Sequence, residues 1–212
     1  MNILIVLAGD SPGEALFKTE IKSADFVVAV DGGIDVFKTY NLLPDLHIGD
    51  FDSSRPSDPD AQYVLAQEDQ SSTDLQKALT YIAKNCKMDS LVLLGAGGGR
   101  TDHLLHNLHI CATIPFSTKI YLKHGITQSD KNYLEIITRV TPQCDFDLQV
   151  KSGTTLSVLP VGDYLGLSSS GLEWEIENKS RNEGFISQSN QVVVADPQFS
   201  ILSGYVYIAV YQ

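Results

Sequence analysis

Through the chain as far as Tyr121, short apolar runs alternate with segments whose apolar residues recur at helical spacing. Ile3–Leu7, Phe26–Val30, Leu46–Ile48, Tyr63–Leu65 and Leu91–Leu94 read as strands. Between them, Glu14–Lys22, Ile34–Tyr40 and Asp74–Asn85 read as helices. The clearest stripe is Leu75, Ala78, Leu79 and Ile82. Thr73 followed by Gln76 forms a capping-box pattern, which predicts a helix starting at Asp74. A further helix should follow Arg100 and carry Leu104, Leu105, Leu108 and Cys111. Strands alternating with helices predict an α/β fold with a doubly wound, mainly parallel sheet. Ligands then belong outside the carboxyl ends of the strands.

After Tyr121 the pattern changes. Lys119–Lys123 and Tyr133–Thr138 read as strands that would finish the sheet, and no helical periodicity appears from Phe146 onward. Short β-rich runs follow with turn signals between them: Thr154–Leu159, Leu172–Ile176, Gly184–Ser187, Gln191–Val194 and Tyr205–Val210. This spacing predicts a small C-terminal antiparallel β-sandwich. The expected division falls near Thr141-Pro142, giving domains 1–141 and 142–212.

Composition narrows the function. The 212 residues carry 15 Lys plus Arg against 26 Asp plus Glu, a formal charge of −11. That balance disfavours sequence-independent nucleic-acid binding and anionic membrane surfaces, both of which need basic patches. An acidic chain can still take a polyphosphate if a divalent cation sits between carboxylate and phosphate. No stretch is long and apolar enough to span a bilayer, and Ile3–Ala8 lacks the basic flank of a signal peptide. Cys86, Cys111 and Cys144 are far apart and odd in number, which suits a reducing, cytoplasmic setting.

The aspartates fall where such a cation would be held. Asp31 follows the second strand and precedes Gly32-Gly33, Asp50 and Asp52 follow the third, and Asp74 opens a helix. In a doubly wound sheet these positions share one rim. Carboxylates gathered there repel unless a cation lies among them, and magnesium is the natural ion for oxygen ligands and phosphates. Each aspartate alone also suits a turn or an N-cap.

The run Gly95-Ala96-Gly97-Gly98-Gly99-Arg100-Thr101-Asp102-His103 leaves a strand and opens a helix, a place that favours anions. It lacks the Gly-Lys-Ser/Thr ending of a P-loop, and Arg100 stands where a dinucleotide fingerprint needs its third glycine. Arg100 offers a planar fork to phosphate. His103, His106 and His109 recur every third residue, but that spacing drifts around a helix and no cysteine is near, so zinc is disfavoured. His103 sits at the helix opening, within reach of a ligand, whereas His106 and His109 suit structural or surface positions. Neither a GxSxG elbow nor a cysteine-nucleophile signature occurs. Trp174, the single tryptophan, suits a core position. Its face, near the polar segment Ser187 to Asn190, also suits a flat cationic ring.

Together these pieces resemble the thiamine pyrophosphokinase family. The matching segments are Val30-Asp31-Gly32-Gly33, Pro44-Asp45, Gly49-Asp50-Phe51-Asp52-Ser53, Asp69 to Leu75, Gly95 to His103, Gly171 to Trp174, and Ser189-Asn190, in the family's order. The resemblance implies an α/β domain binding ATP and metal, followed by a thiamine-binding β-sandwich, in a homodimer with active sites between subunits. It implies magnesium-dependent transfer of pyrophosphate from ATP to the thiamine hydroxyl, giving thiamine diphosphate and AMP. Carried onto this chain, Asp50, Asp52 and Asp74 hold magnesium, with Asp31 as a further metal or water contact. Gln70, Thr73, Gly98, Arg100 and His103 meet the nucleotide, and Asp102 orients the thiamine hydroxyl or takes its proton. Trp174 stacks on thiamine, with Ser187, Ser189 and Asn190 beside it. Two other readings compete: a pyrophosphokinase for another alcohol, such as a hydroxymethylpterin, and a non-catalytic nucleotide- or thiamine-binding module.

Overall fold

Strand β1 (Asn2–Val6) is buried at every residue after Asn2, so neither of its faces meets water. That is the signature of a parallel strand covered on both sides, and it organises the first part of the fold. The computed structural model describes residues 1–49, 64–66, 71–124, 133–184 and 187–212. It divides into two compact units. One comprises Met1–Cys111 with Ile120–Lys123, the other Ala112–Lys119 with His124–Gln212.

In the first unit β1 is followed by α1 (Glu14–Ser23), β2 (Phe26–Val30), α2 (Ile34–Thr39), β3 (Leu46–Gly49) and β4 (Val64–Ala66). Then come α3 (Asp74–Asn85), β5 (Ser90–Leu94), α4 (Thr101–Ala112), all but its last residue in this unit, and β6 (Ser117–His124), of which Ile120–Lys123 belong here. β1 pairs in parallel with both β2 and β5, β2 with β3, and β3 with β4. This is the expected mainly parallel sheet. One face packs Leu4, Val6, Val27 and Ala29 against Phe17 of α1 and Phe37 of α2. The two rings meet edge to face at 5.1 Å. α3 covers β2 and β3 and buries Leu75, Ala78 and Ile82, three residues of the expected stripe.

The capping box forms as the spacing predicts. The Thr73 hydroxyl accepts from the Gln76 N–H, and the Gln76 side chain accepts from the Thr73 N–H. One turn in, Lys77 is only 3% exposed, and its ammonium lies 3.0 Å from the Asp74 carboxylate. A buried cation at the positive end of a helix is doubly unfavourable, and Asp74 offsets both costs.

The second unit has β7 (Tyr133–Val140), β8 (Thr155–Leu159), β9 (Tyr164–Leu165), β10 (Ser168–Ser170), β11 (Ser187–Gln191), β12 (Gln198–Ser200), β13 (Ser203–Gly204) and β14 (Val206–Tyr211). Antiparallel pairing gives the order β11-β8-β14-β7, while β10 pairs with β12 and β9 with β13. Alternate residues Leu156, Val158, Val206, Ile208 and Val210 share a core with Leu167, Leu172, Ile176, Phe199 and Ile201. Arg139 of β7 ties in the segment after α4. Its buried guanidinium donates to the carbonyls of Ala112 (2.6 Å), Phe116 (3.0 Å) and Ile114.

Two expected strands take other forms. Leu172–Ile176 is a turn, with only Leu172 bridging to Val192, because the Glu175 carboxylate gathers the N–H groups of Gly171 (2.7 Å) and Leu172 (3.0 Å). The strand expected at Gln191–Val194 lies earlier, at Ser187–Gln191, because the buried polar groups of Ser187 and Asn190 find partners there. The strand expected at Gly184–Ser187 falls partly outside the described residues.

Asp74→Asn leaves the Lys77 ammonium buried without this counter-charge. It should lower unfolding stability by about 3 kcal/mol, read from urea titration. Adding Lys77→Met should recover most of that loss. An unchanged urea midpoint in Asp74→Asn would show that another group neutralises Lys77.

Candidate functional site

The parallel register brings several strand exits to one level. Val6 pairs with Ala29 on one side and Leu94 on the other, and Val30 pairs with Ile48. The segments that leave β1 and β5 are then stitched together. Leu7 N–H donates to Leu94 O at 2.9 Å, Gly9 N–H to Gly95 O at 2.9 Å, and Asp10 N–H to Gly97 O at 2.8 Å. They bound a cavity of about 650 Å³ within the first unit. Leu7–Gly9, Val30, Asp31, Thr73–Leu75, Gly95–Gly97 and Gly99 line it, with Arg100, Asp102, His103, His106 and Asn107 of the α4 side. This is the carboxyl edge of a parallel sheet, where α/β proteins hold their ligands.

Asp31 is held in an unusual backbone conformation, with φ of +45°. Aspartate tolerates this region better than most residues, and such strain gathers at functional sites. Its carbonyl accepts a 2.9 Å hydrogen bond from Nε2 of the buried His47 on β3. Burial is the main influence on that imidazole and lowers its pKa, which keeps it neutral. Gly49 sits close beneath. A Cβ there would meet the Asp31 Cα at 3.2 Å.

The glycine run is shaped by a neighbouring acid. Gly98 has φ of +79°, and the Asp10 carboxyl group occupies the place of its missing Cβ. At the end of the run the Arg100 guanidinium grips Asp102 side-on. Nε lies 3.0 Å from Oδ1 and Nη2 2.5 Å from Oδ2, while the His103 N–H donates to Oδ1 at 3.1 Å. Arg100 foremost, and then the His103 N–H, holds the Asp102 carboxyl below the usual carboxylate range. Asp102 in turn raises Arg100.

The cavity therefore gathers Asp31, Thr73, Asp74, Arg100, Asp102 and His103, with Gly98 between lining residues. Asp50, Asp52 and Gln70 lie outside the described residues. Sequence reading passed over Leu7–Gly9, although Gly9-Asp10 ends a strand as Asp31 does. It also set aside His106, which lines the wall one turn after His103. Nothing in periodicity or motif pointed to His47 or Lys77.

The carboxylates of Asp31 and Asp74 offer hard oxygen donors to this cavity, which suits magnesium better than a softer metal. Among the described residues no three His, Cys, Asp or Glu side chains converge as a metal site by themselves.

The second unit presents a different surface. Trp174 is 59% exposed at the tip of the turn organised by Glu175. Burial pushes the Glu175 carboxyl up, but donation from Ser169, Leu172 and Gly171 outweighs it and holds the group below its ordinary value. Asn190 is buried and fully committed. Its Oδ1 accepts from the N–H groups of Trp174 (3.2 Å) and Gln191 (2.8 Å), and its Nδ2 donates to Trp174 O (2.7 Å) and Ser187 Oγ (3.0 Å). Four bonds exhaust an amide side chain. Between Ser187 and Asn190 the β8–β11 register shifts, and the exposed Ser189 takes φ of +56° while its N–H donates to Ser157 Oγ.

Comparison with known proteins matches two family descriptions. Residues 17–122, half of the chain, match the thiamin pyrophosphokinase catalytic domain, and residues 143–206 match the thiamin pyrophosphokinase vitamin B1 binding domain. Thiamine pyrophosphokinase 3 of Oryza sativa subsp. japonica is 30% identical over 163 residues, which are 70% of this chain and 58% of that protein. Thiamine pyrophosphokinase 1 of the same plant is 25% identical over 71% of this chain and 59% of its own length. The chain thus spans less than two thirds of these curated relatives. Among solved structures, thiamin pyrophosphokinase from Geobacillus thermodenitrificans superposes with a TM-score of 0.76 at 22% identity, covering 100% of this chain and 98% of that one. The yeast enzyme gives 0.75 at 18% identity, covering 99% and 86%. Those likenesses establish a shared fold. With both domain families matched in order along one polypeptide, the chain belongs to the thiamin pyrophosphokinase family.

Proposed function

We propose that this protein is a thiamine pyrophosphokinase, transferring the β,γ-pyrophosphoryl group of ATP to the hydroxyl of thiamine to give thiamine diphosphate and AMP. The observation that carries this reading is the cavity at the carboxyl edge of the parallel sheet. It collects the carboxylates of Asp31, Asp74 and Asp102, a glycine-rich strand exit and an arginine around one space. Those groups suit an anionic, metal-neutralised substrate, and the family descriptions supply its chemistry.

In the proposed reaction the thiamine hydroxyl oxygen bonds to the β-phosphorus while the bond to the α,β-bridging oxygen breaks. AMP departs with that oxygen, and the hydroxyl proton passes to a carboxylate of the rim or to water. Charge builds on the transferred oxygens and on the leaving phosphate. The site therefore acts chiefly by positioning and by neutralising charge. Arg100, Gln70, Thr73, Gly98 and His103 would hold the nucleotide. Asp31, Asp50, Asp52 and Asp74 would hold magnesium, which when bound screens the phosphate oxygens and polarises the phosphorus.

The 142–212 region would supply the thiamine pocket. The exposed Trp174 face suits a cationic thiazolium or its attached pyrimidine. Ser187 and Ser189 would bond the pyrimidine edge, and Asn190 would contribute by fixing Trp174 and Ser187 in place. We also propose a homodimer with shared active sites, since Trp174 lies exposed with Val193 and Val194 on the surface of a single chain. A cytoplasmic setting agrees with three cysteines that form no disulfide. Among the described residues, no helix is long and apolar enough to cross a membrane.

Incubation with ATP, magnesium and thiamine should yield AMP and thiamine diphosphate, resolved by chromatography, and a chelator should stop it. ADP with thiamine monophosphate would refute the reaction type. Turnover only with a different alcohol would refute the substrate. Asp52→Asn should abolish turnover with the circular-dichroism spectrum unchanged, whereas near-normal turnover would remove Asp52 from the metal site. Trp174→Ala should weaken thiamine binding at least tenfold while leaving ATP affinity within about twofold, measured by calorimetry. Equal losses for both ligands would make the tryptophan a structural residue.

A further inference from the structure

Asp102 and Arg100 both line the cavity, but they do not meet it in the same way. The carboxylate is occupied. Oδ1 accepts from Arg100 Nε and from the His103 N–H, and Oδ2 accepts from Arg100 Nη2. The guanidinium is only half used. Side-on pairing consumes Nε and one face of Nη2, so the end-on edge formed by Nη1 and Nη2 remains for a second planar partner. Asp102 stands in the first turn of α4, where an anion is favoured and the backbone is held by the helix. Arg100 lies in the irregular segment just before it, with a side chain 76% exposed. A long, exposed side chain on a loop has many rotamers to lose on binding an anion. The carboxylate anchored to the helix removes that freedom in advance.

From this geometry we infer that Asp102 is a positioning residue for Arg100, fixing the plane of the guanidinium so that its end-on edge meets the polyphosphate of the nucleotide. The inference rests on the nucleotide reading of the cavity and deepens it. It also separates Asp102 from the group that takes the hydroxyl proton. A carboxylate already accepting three N–H groups, and held below its ordinary pKa by them, is a poor proton acceptor. That duty then falls to another carboxylate of the rim or to water. The pairing also explains the order of residues. An arginine two positions before an aspartate, at a helix start, lets a short local segment orient the fork.

The test is a double-mutant cycle on the full chain, with ATP–magnesium binding measured by calorimetry without thiamine, and steady-state turnover measured alongside. Asp102→Asn should weaken ATP binding about fivefold, the scale of an exposed ion pair, and reduce kcat by less than tenfold. In an Arg100→Met background the same Asp102→Asn change should leave ATP affinity unchanged or slightly improved, because there is no fork left to orient. Asp102→Glu, which can re-form the pair, should recover part of the affinity. ATP affinity at or above wild type in Asp102→Asn would overturn the positioning role. So would a fall in kcat of a hundredfold or more at unchanged ATP affinity, the size of effect expected from losing a general base. A wild-type protein that fails to bind ATP would overturn the nucleotide reading itself, a different result from either of these.

Discussion

The parallel register of β1 between β2 and β5 is the constraint on which the site depends. Once Val6 is level with Ala29 and Leu94, the chain must leave three strands at the same height. The three backbone bonds from Leu7, Gly9 and Asp10 to Leu94, Gly95 and Gly97 then lock the β1 and β5 exits together. Because the strands are buried on both faces, a slip by one residue would disturb core packing on two sides of the sheet. The hydrophobic core thus sets the level at which Asp31 and the glycine run leave the sheet.

The two units solve the problem of holding functional groups differently. In the first, side chains are placed by strand ends and helix starts, and local strain at Asp31 is supported by His47 and by the absence of a Cβ at Gly49. In the second, an exposed indole is fixed from behind by polar groups. Asn190 holds both the N–H and the C=O of Trp174, and Glu175 ties the turn together. Buried polar networks of this kind are costly unless every member is satisfied. Here the Asn190 amide is filled on all four sides, so the tryptophan can stay exposed without its backbone wandering.

Much of the first unit was legible in the sequence for a physical reason. Strands buried on two faces read as unbroken apolar runs, and the Thr73–Gln76 box marks the start of α3 chemically. The rim positions of Asp31, Thr73, Asp74 and Asp102 follow from those boundaries. His106 and Leu7–Gly9 were harder to see, because their place on the cavity wall depends on helix phase and on strand register. Lys77 lies off the apolar stripe of α3, where the pattern predicts an exposed cation, yet it is buried and paired with Asp74. In the second unit, alternation misled at Leu172–Ile176. A single carboxylate there recruits backbone N–H groups and makes a turn from an alternating run. At Ser187–Gln191 the inward-facing residues, Ser187 and Asn190, are polar, so the strand carries none of the usual hydrophobic signal.

Arg139 and its strand have a consequence for how this chain can be dissected. β7 covers one side of β14 along six residue pairs, from Val206 with Val140 to Tyr211 with Glu135. A fragment beginning at residue 142 would lose that cover and expose the hydrogen-bonding edge of Val-Tyr-Ile-Ala-Val-Tyr, an apolar sequence with neither charge nor proline. Such an edge is a template for pairing with other copies, and the isolated fragment would carry an amyloid-like liability that the intact chain hides beneath one strand.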